Sequence, residues 1–525
     1  MRSVTDQQPV LDSRIEALQS QPLDVLIVGG GIVGAGVARD AAMRGLRTGL
    51  VEQHDFASGT SSRSSRLLHG GMRYLAQGRV GLVWEASKEK TILRQIAPHL
   101  AEPLEFIFPT RKANGWPRWK LGVGVKVYDL LCGVGKGGGS GSMGVSETLR
   151  RVPGLDDEQL TGAVRYHDAL TNDSRLVLDT INSAVQHGAI ACNYVKLLDA
   201  TLEGDLWRCE LEDLRTAALL VVKARTVVNA TGPWSDKMPN SETSLRLTKG
   251  VHLVIDRTRL PMEDAVVLAE GSRSLFVIPW GERVILGTTD TDYRGPLENP
   301  SCDAEDISYI LQVVNEAFPA AKLTPKDLVS TWSGLRPLVA DKNGNPSDIS
   351  RRHKIAMSHA GWWDVTGGKL TTYRLMGEET VDAIVRFLGA KAGPCRTATT
   401  PLLMNGNSDK NGHTESFSGV LPPPVSAAAV SRYCRVEAAR HLDDVMIRRT
   451  SWRHYCHNHM ELAANVARWM ATELGWTDAE TETELQRYRR LTGASEIAAP
   501  HIGAAHVQGN GHSGAAAEAI RTGAL

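Results

Sequence analysis

The chain has 525 residues, 42% hydrophobic and 22% charged, with 59 Lys plus Arg against 59 Asp plus Glu. That length predicts more than one domain, and the balanced charge argues against bulk electrostatic binding to nucleic acid. Seven cysteines without CxxC spacing argue against a disulfide framework and a thiolate metal site, and predict a reducing, intracellular compartment. The first 21 residues carry no apolar core of the secretory kind, and no run of 18 apolar residues predicts a membrane span.

In chain order, residues 25–28 read as a buried strand, residues 34–43 as the start of a helix, and residues 48–52 as a second strand ending in an acid. Residues 175–187 read as a helix stopping before Gly188, and residues 226–229 as another short buried strand. Residues 275–279 and 283–287 read as paired strands turning at Gly281. The glycine-rich stretch 133–144 reads as a flexible loop and 405–425 as a linker. Residues 426–492 carry helical spacing and predict a helical bundle, and the small, polar tail after residue 500 predicts disorder. The domain expectation is therefore an extension over 1–22, an α/β region over 23–404, a linker over 405–425, a helical domain over 426–500 and a tail over 501–525.

Within the stretch "DVLIVGGGIVGAG", Gly29, Gly31 and Gly34 form G-x-G-x-x-G between a strand and a helix. Glu52 ends the next strand about 20 residues on, as a dinucleotide fingerprint requires. Gly29 permits a tight turn, Gly31 lets backbone approach a pyrophosphate, Gly34 lets helix pack on strand, and Glu52 accepts from ribose hydroxyls. The motif alone does not separate FAD from NAD. Two further loops of small residues, around Ala230 to Gly232 and Gly367 to Thr371, suit a long cofactor touched at several points and favour FAD.

The stretches "IVGGGIVGAGVARDAAMRGL", "SSRLLHGGMRYL", "NATGPW", "LTKGVHLVI", "FVIPW", "LGTTDTDY", "WSGLRPL" and "TGGKLTTYR" together resemble the FAD-dependent glycerol-3-phosphate dehydrogenase family. They cover most of residues 23–374 in the family's order, and "RRTSWR" at 448–453 resembles its helical cap. The resemblance implies a Rossmann-type FAD domain interleaved with a sheet-based substrate domain, followed by a C-terminal helical domain. It implies oxidation of sn-glycerol 3-phosphate to dihydroxyacetone phosphate, with electrons passed to a membrane quinone. It also implies a peripheral place on the cytoplasmic membrane face and a homodimer.

Carried over residue by residue, the resemblance places FAD against Gly29, Gly31, Gly34, Glu52, Thr60, Ser61, Ser65, Ala230, Gly232, Gly368 and Leu370. It places substrate against Arg73, Tyr74, Arg336 and Lys369. Arginine's planar fork suits phosphate oxygens, although an interdomain salt bridge is an arginine's more usual fate. Hydride leaves C2 for flavin N5 while the C2 hydroxyl loses a proton, so a base is useful. His252 stands ahead of His69 for that role, and an alkoxide stabilised by Arg336 and Lys369 would dispense with a histidine. Arg66 stands where the family often has lysine. The cluster "HYCHNH" at 454–459 reads as a solvated helix face rather than a metal site.

Residues 111–131 combine Arg111, Lys112, Arg118, Lys120 and Lys126 with Trp116, Trp119 and Tyr128, a composition that suits an anionic bilayer surface. A packed basic helix explains the same composition equally well. Two other readings stay open: a glycerol-3-phosphate oxidase using oxygen, for which the family's long cap insertion is missing here, and an amine-oxidising flavoenzyme of the same fold. A flavin-binding scaffold without activity is a third, weakened by the retained cationic cluster.

Overall fold

A computed structural model describes residues 9–71, 80–112, 118–132, 139–270, 273–339, 353–403 and 417–493. The chain builds two sheets and crosses between them four times. The first sheet has strand order Lys354–His359, Trp362–Thr366, Ala218–Asn229, Leu23–Val28, Thr48–Glu52, Ile190–Asn193. All neighbours are parallel except the Lys354–His359 edge. Leu23, Val25, Leu26, Ile27 and Val28 are all buried, as expected of a parallel strand covered on both faces. Helices Ile32–Met43, Asp173–Gln186 and Tyr373–Leu388 pack together on one face. The hairpin Val195–Glu203/Leu206–Asp213, pairing antiparallel with Ala218–Asn229, and Ile15 and Leu18 of helix Pro9–Gln19 fill the other.

The second sheet has order Thr291–Asp292, Leu245–Asp256, Arg283–Gly287, Arg273–Trp280, Ala265–Glu270, Glu102–Arg111, Leu160–Leu170, Leu67–Leu68. Strand Leu328–Val339 pairs along nearly the whole of Leu245–Asp256. Helix Ala304–Ala317 covers one face. Helices Val80–Ile96 and Arg118–Cys132 cover the other, joined by Val420 and Tyr455 from the C-terminal region.

The expected strands and helices are found, several of them longer than the sequence suggests. Residues 226–229 are the buried end of the twelve-residue strand Ala218–Asn229, whose outer half alternates and escapes an apolar-run reading. Two loop expectations change. Gly141–Met143 is a strand, because Ser142 and Met143 pair with Val164 and Ala163. Residues 417–425 pack instead of spanning open solvent: Trp280 Nε1 donates to Val420 O at 3.2 Å and Trp452 Nε1 to Pro423 O at 2.8 Å. The tail after residue 500 lies outside the described residues.

The C-terminal unit, with helices Ala427–Arg435, His459–Leu474 and Asp478–Gly493, has its own apolar core. Buried ions hold it to the first sheet. Arg175 Nη1 and Nη2 reach Glu437 Oε2 and Oε1 at 2.7 and 3.2 Å. Asp55 accepts from Arg448 Nε at 2.5 Å and from Arg449 Nη2 at 2.8 Å. Burial alone would push the Asp55 carboxyl up, but Arg449 and Arg448 outweigh it and hold it below the usual range. Removing one partner of such a pair strands the other's charge in a dry interior. Asp55→Asn therefore should destabilise the protein by about 3–5 kcal/mol, read as a lowered melting temperature. An unchanged melting temperature would mean the ions do not hold the two units together.

Candidate functional site

A cleft opens at the carboxyl ends of the first sheet's strands, lined by Val28, Glu52, Ala230 and Thr366 among others. This is where open α/β sheets take nucleotides. The glycines there are forced. Gly29 has φ +112°, and a Cβ on it would lie 2.6 Å from Ala230 O. A Cβ on Gly34 would lie 1.9 Å from Gly29 O, so the helix can sit this close to the strand only without a side chain. Gly31 lines the cleft as N-cap of Ile32–Met43. Ile32 N–H donates to Ser61 Oγ at 3.0 Å, which leaves the Ser61 hydroxyl proton for an acceptor in the cleft.

Glu52 accepts Gly30 N–H at 2.8 Å on Oε2 and His54 N–H at 2.9 Å on Oε1. Burial nevertheless raises its pKa. The carboxylate is thus fixed at the cleft wall with lone pairs to spare. Ala230 N–H donates to Val28 O at 2.9 Å, and Gly232 turns with φ +59°. Gly367 and Gly368 have φ +72° and +80°, and Lys369 and Leu370 follow them along the cleft into helix Tyr373–Leu388. Thr60 also lines the cleft, its hydroxyl donating to Leu335 O at 2.7 Å. Two cleft residues keep buried polar atoms without a hydrogen-bond partner among the described residues, Trp234 Nε1 and Thr366 Oγ1. Narrow glycine turns, a fixed acid, a helix start and unspent donors fit a dinucleotide such as FAD.

Beside this cleft, strands Leu245–Asp256 and Leu328–Val339 form a second part of the site. Register pairs Thr248 with Arg336, Gly250 with Gly334 and His252 with Trp332. Alternation puts these six on one face. Arg336 donates to Thr289 O at 3.2 Å, Asp290 Oδ1 at 3.1 Å and Thr288 Oγ1 at 2.9 Å. A Cβ at Gly250 would lie 2.3 Å from Arg336 Nη2, so the glycine makes room for the guanidinium. His252 is buried, its Nε2 is 2.8 Å from Ser65 Oγ, and its ring stacks on Trp332 at 5.3 Å. Its Nδ1 has no partner among the described residues.

Most expected residues converge, with changes of role. Ser65 lies against His252 rather than among the residues that line the cleft. Burial, then Arg336 and Arg66, take the His252 pKa down to about 3, below the range that suits a base at working pH. The imidazole is therefore neutral at pH 7. His69 N–H donates to Thr371 Oγ1 at 3.1 Å, at the third cofactor loop. Arg73 and Tyr74 lie outside the described residues. His454 and His459 are buried, not solvated, since they pack under Trp332 and Tyr488 respectively. No metal-holding group of three or more His, Cys, Asp or Glu occurs among the described residues. Sequence reading missed Trp332, Gly250, Thr288 and Asp290, although all four lie in the quoted motifs.

The fold and this cleft define a flavin-dependent oxidoreductase. A family described as FAD dependent oxidoreductase matches residues 24–383, and one described as the C-terminal domain of alpha-glycerophosphate oxidase matches residues 406–481. A Mycobacterium tuberculosis protein named glycerol-3-phosphate dehydrogenase 2 is 36% identical, over 90% of this chain and 88% of its own. The aerobic glycerol-3-phosphate dehydrogenase of Bacillus subtilis is 38% identical over 74% of this chain and 72% of its own. The solved glycerol-3-phosphate dehydrogenase of Bacillus halodurans, complexed with FAD, superposes with a TM-score of 0.75 at 30% identity, covering 92% and 97% of the two chains. The chain belongs to the FAD-dependent glycerol-3-phosphate dehydrogenase family, and its cofactor is FAD.

The depressed His252 pKa has a thermodynamic consequence. The unfolded chain takes up a proton there below about pH 6.5, the folded chain only below about 3. Stability from this group is full above pH 6.5 and falls as pH drops. Acidification from pH 7 to 5 should cost about 2 kcal/mol at this site alone. Thermal denaturation of holoenzyme should show that decline, and His252→Phe should flatten it; an equal slope in both proteins would contradict a buried neutral imidazole.

Proposed function

We propose that this enzyme oxidises sn-glycerol 3-phosphate to dihydroxyacetone phosphate and delivers the electrons to a membrane quinone. The observation that carries the reading is a fixed guanidinium, Arg336, on the same face of the strand pair as a stacked, neutral imidazole, His252, whose cross-strand partner Trp332 lies four residues from Arg336, within this family's fold. FAD, when bound, supplies the acceptor for the substrate's electron pair. Arg336 and Lys369 bind the phosphate, the first by its planar fork, the second as a point charge. The family resemblance assigns Arg73 and Tyr74 to the same substrate. Asp290 and Thr288 hold the Arg336 fork in one plane before substrate arrives.

His252 takes the C2 hydroxyl proton. In the tautomer whose Nε2–H donates to Ser65 Oγ, Nδ1 keeps its lone pair, with no competing partner among the described residues. A pKa near 3 makes it a weak base in the substrate-free protein. Burial is the main cause of that depression; a bound phosphate's negative charge opposes the smaller share due to Arg336 and Arg66 and so raises the basicity of the group that deprotonates the substrate.

Membrane contact has support on the surface of helices Val80–Ile96 and Arg118–Cys132, which pack on each other. Trp119 is 67% exposed, Val123 58% and Trp84 51%. The basic side chains contribute less than their number promises. Arg111 is bound to Asp156 at 2.6 Å, Arg118 to Thr161 O at 3.0 Å and Lys126 to Ser140 O at 2.5 Å. Tyr128 is buried against Asp168. Trp116 lies outside the described residues. Among the described residues no helix is long and apolar enough to cross a membrane, so the contact is a shallow apolar one made by protruding side chains. A homodimer on that surface is part of the same proposal.

Anaerobic addition of sn-glycerol 3-phosphate to holoenzyme should bleach the oxidised flavin band, and re-oxidation by a quinone analogue should be faster than by air. No bleaching by sn-glycerol 3-phosphate in fully flavin-loaded protein removes the substrate assignment and favours the amine-oxidising reading. Faster re-oxidation by air makes the enzyme an oxidase. Arg336→Lys should raise KM at least about tenfold with FAD content unchanged. Trp84→Ser with Trp119→Ser should release the enzyme from anionic vesicles, and cosedimentation equal to wild type would refute the membrane surface.

A further inference from the structure

We propose that the C-terminal helical unit positions the active-site imidazole through Ser451, Arg66 and Trp332. The proposal rests on the role assigned above to His252.

Arg66 is buried with its guanidinium between two indoles, 4.4 Å from the Trp280 ring and 5.3 Å from the Trp332 ring. Its Nη2 donates to Ser451 Oγ at 3.0 Å, while Nε and Nη1 have no hydrogen-bond partner among the described residues. One hydroxyl from the helical unit therefore fixes where a buried cation lies. Its location decides how Trp332 lies, because a cation over an aromatic face is held by the ring quadrupole. Trp332 is pinned twice more: Nε1 donates to Ser64 O at 3.0 Å, and its ring meets His454 of the helical unit at 5.0 Å. His252 also stacks on Trp332, tilted only 21° from parallel.

The loop closes on itself. Ser64 receives Trp332, Ser65 bonds His252, and Arg66 reaches Ser451, three consecutive residues serving the indole, the imidazole and the helical unit. Asp173 clamps this turn by accepting Ser64 N–H and O–H at 2.9 and 2.7 Å. None of Ser451, Arg66, Trp332 or His252 lines the cofactor cleft, and contacts lead from Ser451 through Arg66 and Trp332 to the imidazole.

Ser451 has φ +59°, which suits glycine, so Ser451→Gly removes the hydroxyl without backbone strain. Trp332→Phe keeps a stacking ring and removes the bond to Ser64. Stopped-flow flavin bleaching by sn-glycerol 3-phosphate, across pH 6 to 9, separates limiting rate from half-saturation. Each variant should lose roughly tenfold to a hundredfold in limiting rate, with half-saturation nearly unchanged and an altered pH profile. FAD content should match wild type. Wild-type rates and pH profiles in both variants would overturn the proposal, as would a loss confined to half-saturation. If Ser451→Gly proves unstable, Trp332→Phe decides alone. Failure of wild type itself to bleach would instead strike the substrate assignment.

Discussion

The carbonyl of Gly29 occupies the space where residue 34 would carry a side chain, and the active site depends on that contact. It brings the first turn of Ile32–Met43 against the end of Leu23–Val28. The helix start then lines the cleft, with Ile32 N–H on Ser61 Oγ and Gly30 N–H on Glu52. Any Cβ at residue 34 would push the helix out and withdraw those donors together. The rest of the cleft is built to the same tolerance. A Cβ at Gly368 would meet Met376 Sδ at 2.3 Å, so the third loop lies directly on a side chain of its helix.

Charge is used in two ways in a chain whose net charge is zero. Under the helical unit, buried cations are matched: Arg175 with Glu437 and Asp179, Arg448 with Asp55, Asp443 and Asp444. Such pairs specify how two units dock more than they add net stability. Near His252 the balance differs: Arg336 is paired with Asp290, while Arg66 has no carboxylate hydrogen-bonded to it among the described residues. Arg66 has aromatic faces and a hydroxyl where Arg448 has three carboxylates. An excess of positive charge beside a neutral imidazole disfavours its protonated form and favours an anion in the space nearby.

Much of this was legible in the sequence because local rules decide it. The G-x-G-x-x-G turn, Glu52 at a strand end and the positive-φ glycines of "TGGKL" are set by backbone sterics within a few residues, and the structure follows them. Ser65 was not legible, because its partner His252 is 187 residues away and a serine loop looks alike whether it caps a helix or holds an imidazole. Gly250 was not legible either: nothing local distinguishes a glycine that makes room for a cross-strand arginine from one that loosens a strand. His454 and His459 read as surface because the stretch "HYCHNH" is densely polar, yet tertiary packing buries them. The packed half of 405–425 was lost to composition, since proline-rich chain pairs with tryptophan N–H groups as readily as it spans solvent.

The strand pair Leu245–Asp256 and Leu328–Val339 explains why two sheets and a helical unit converge on one imidazole. One face of the pair carries Arg336, Gly250 and His252 in succession, three chemically distinct positions on a rigid ladder. Strands hold such spacing better than loops. Thr60 ties the cofactor loop to Leu335 on the same strand, and Ser330 ties that strand to His454 O of the helical unit at 3.3 Å. Leu328–Val339 is therefore held from the cofactor side at residue 335 and from the helical side at residue 330. Trp332 lies between those two anchors, and His252 lies on Trp332. A shift at either anchor is delivered to the imidazole, because a close-packed interior passes displacement on instead of absorbing it.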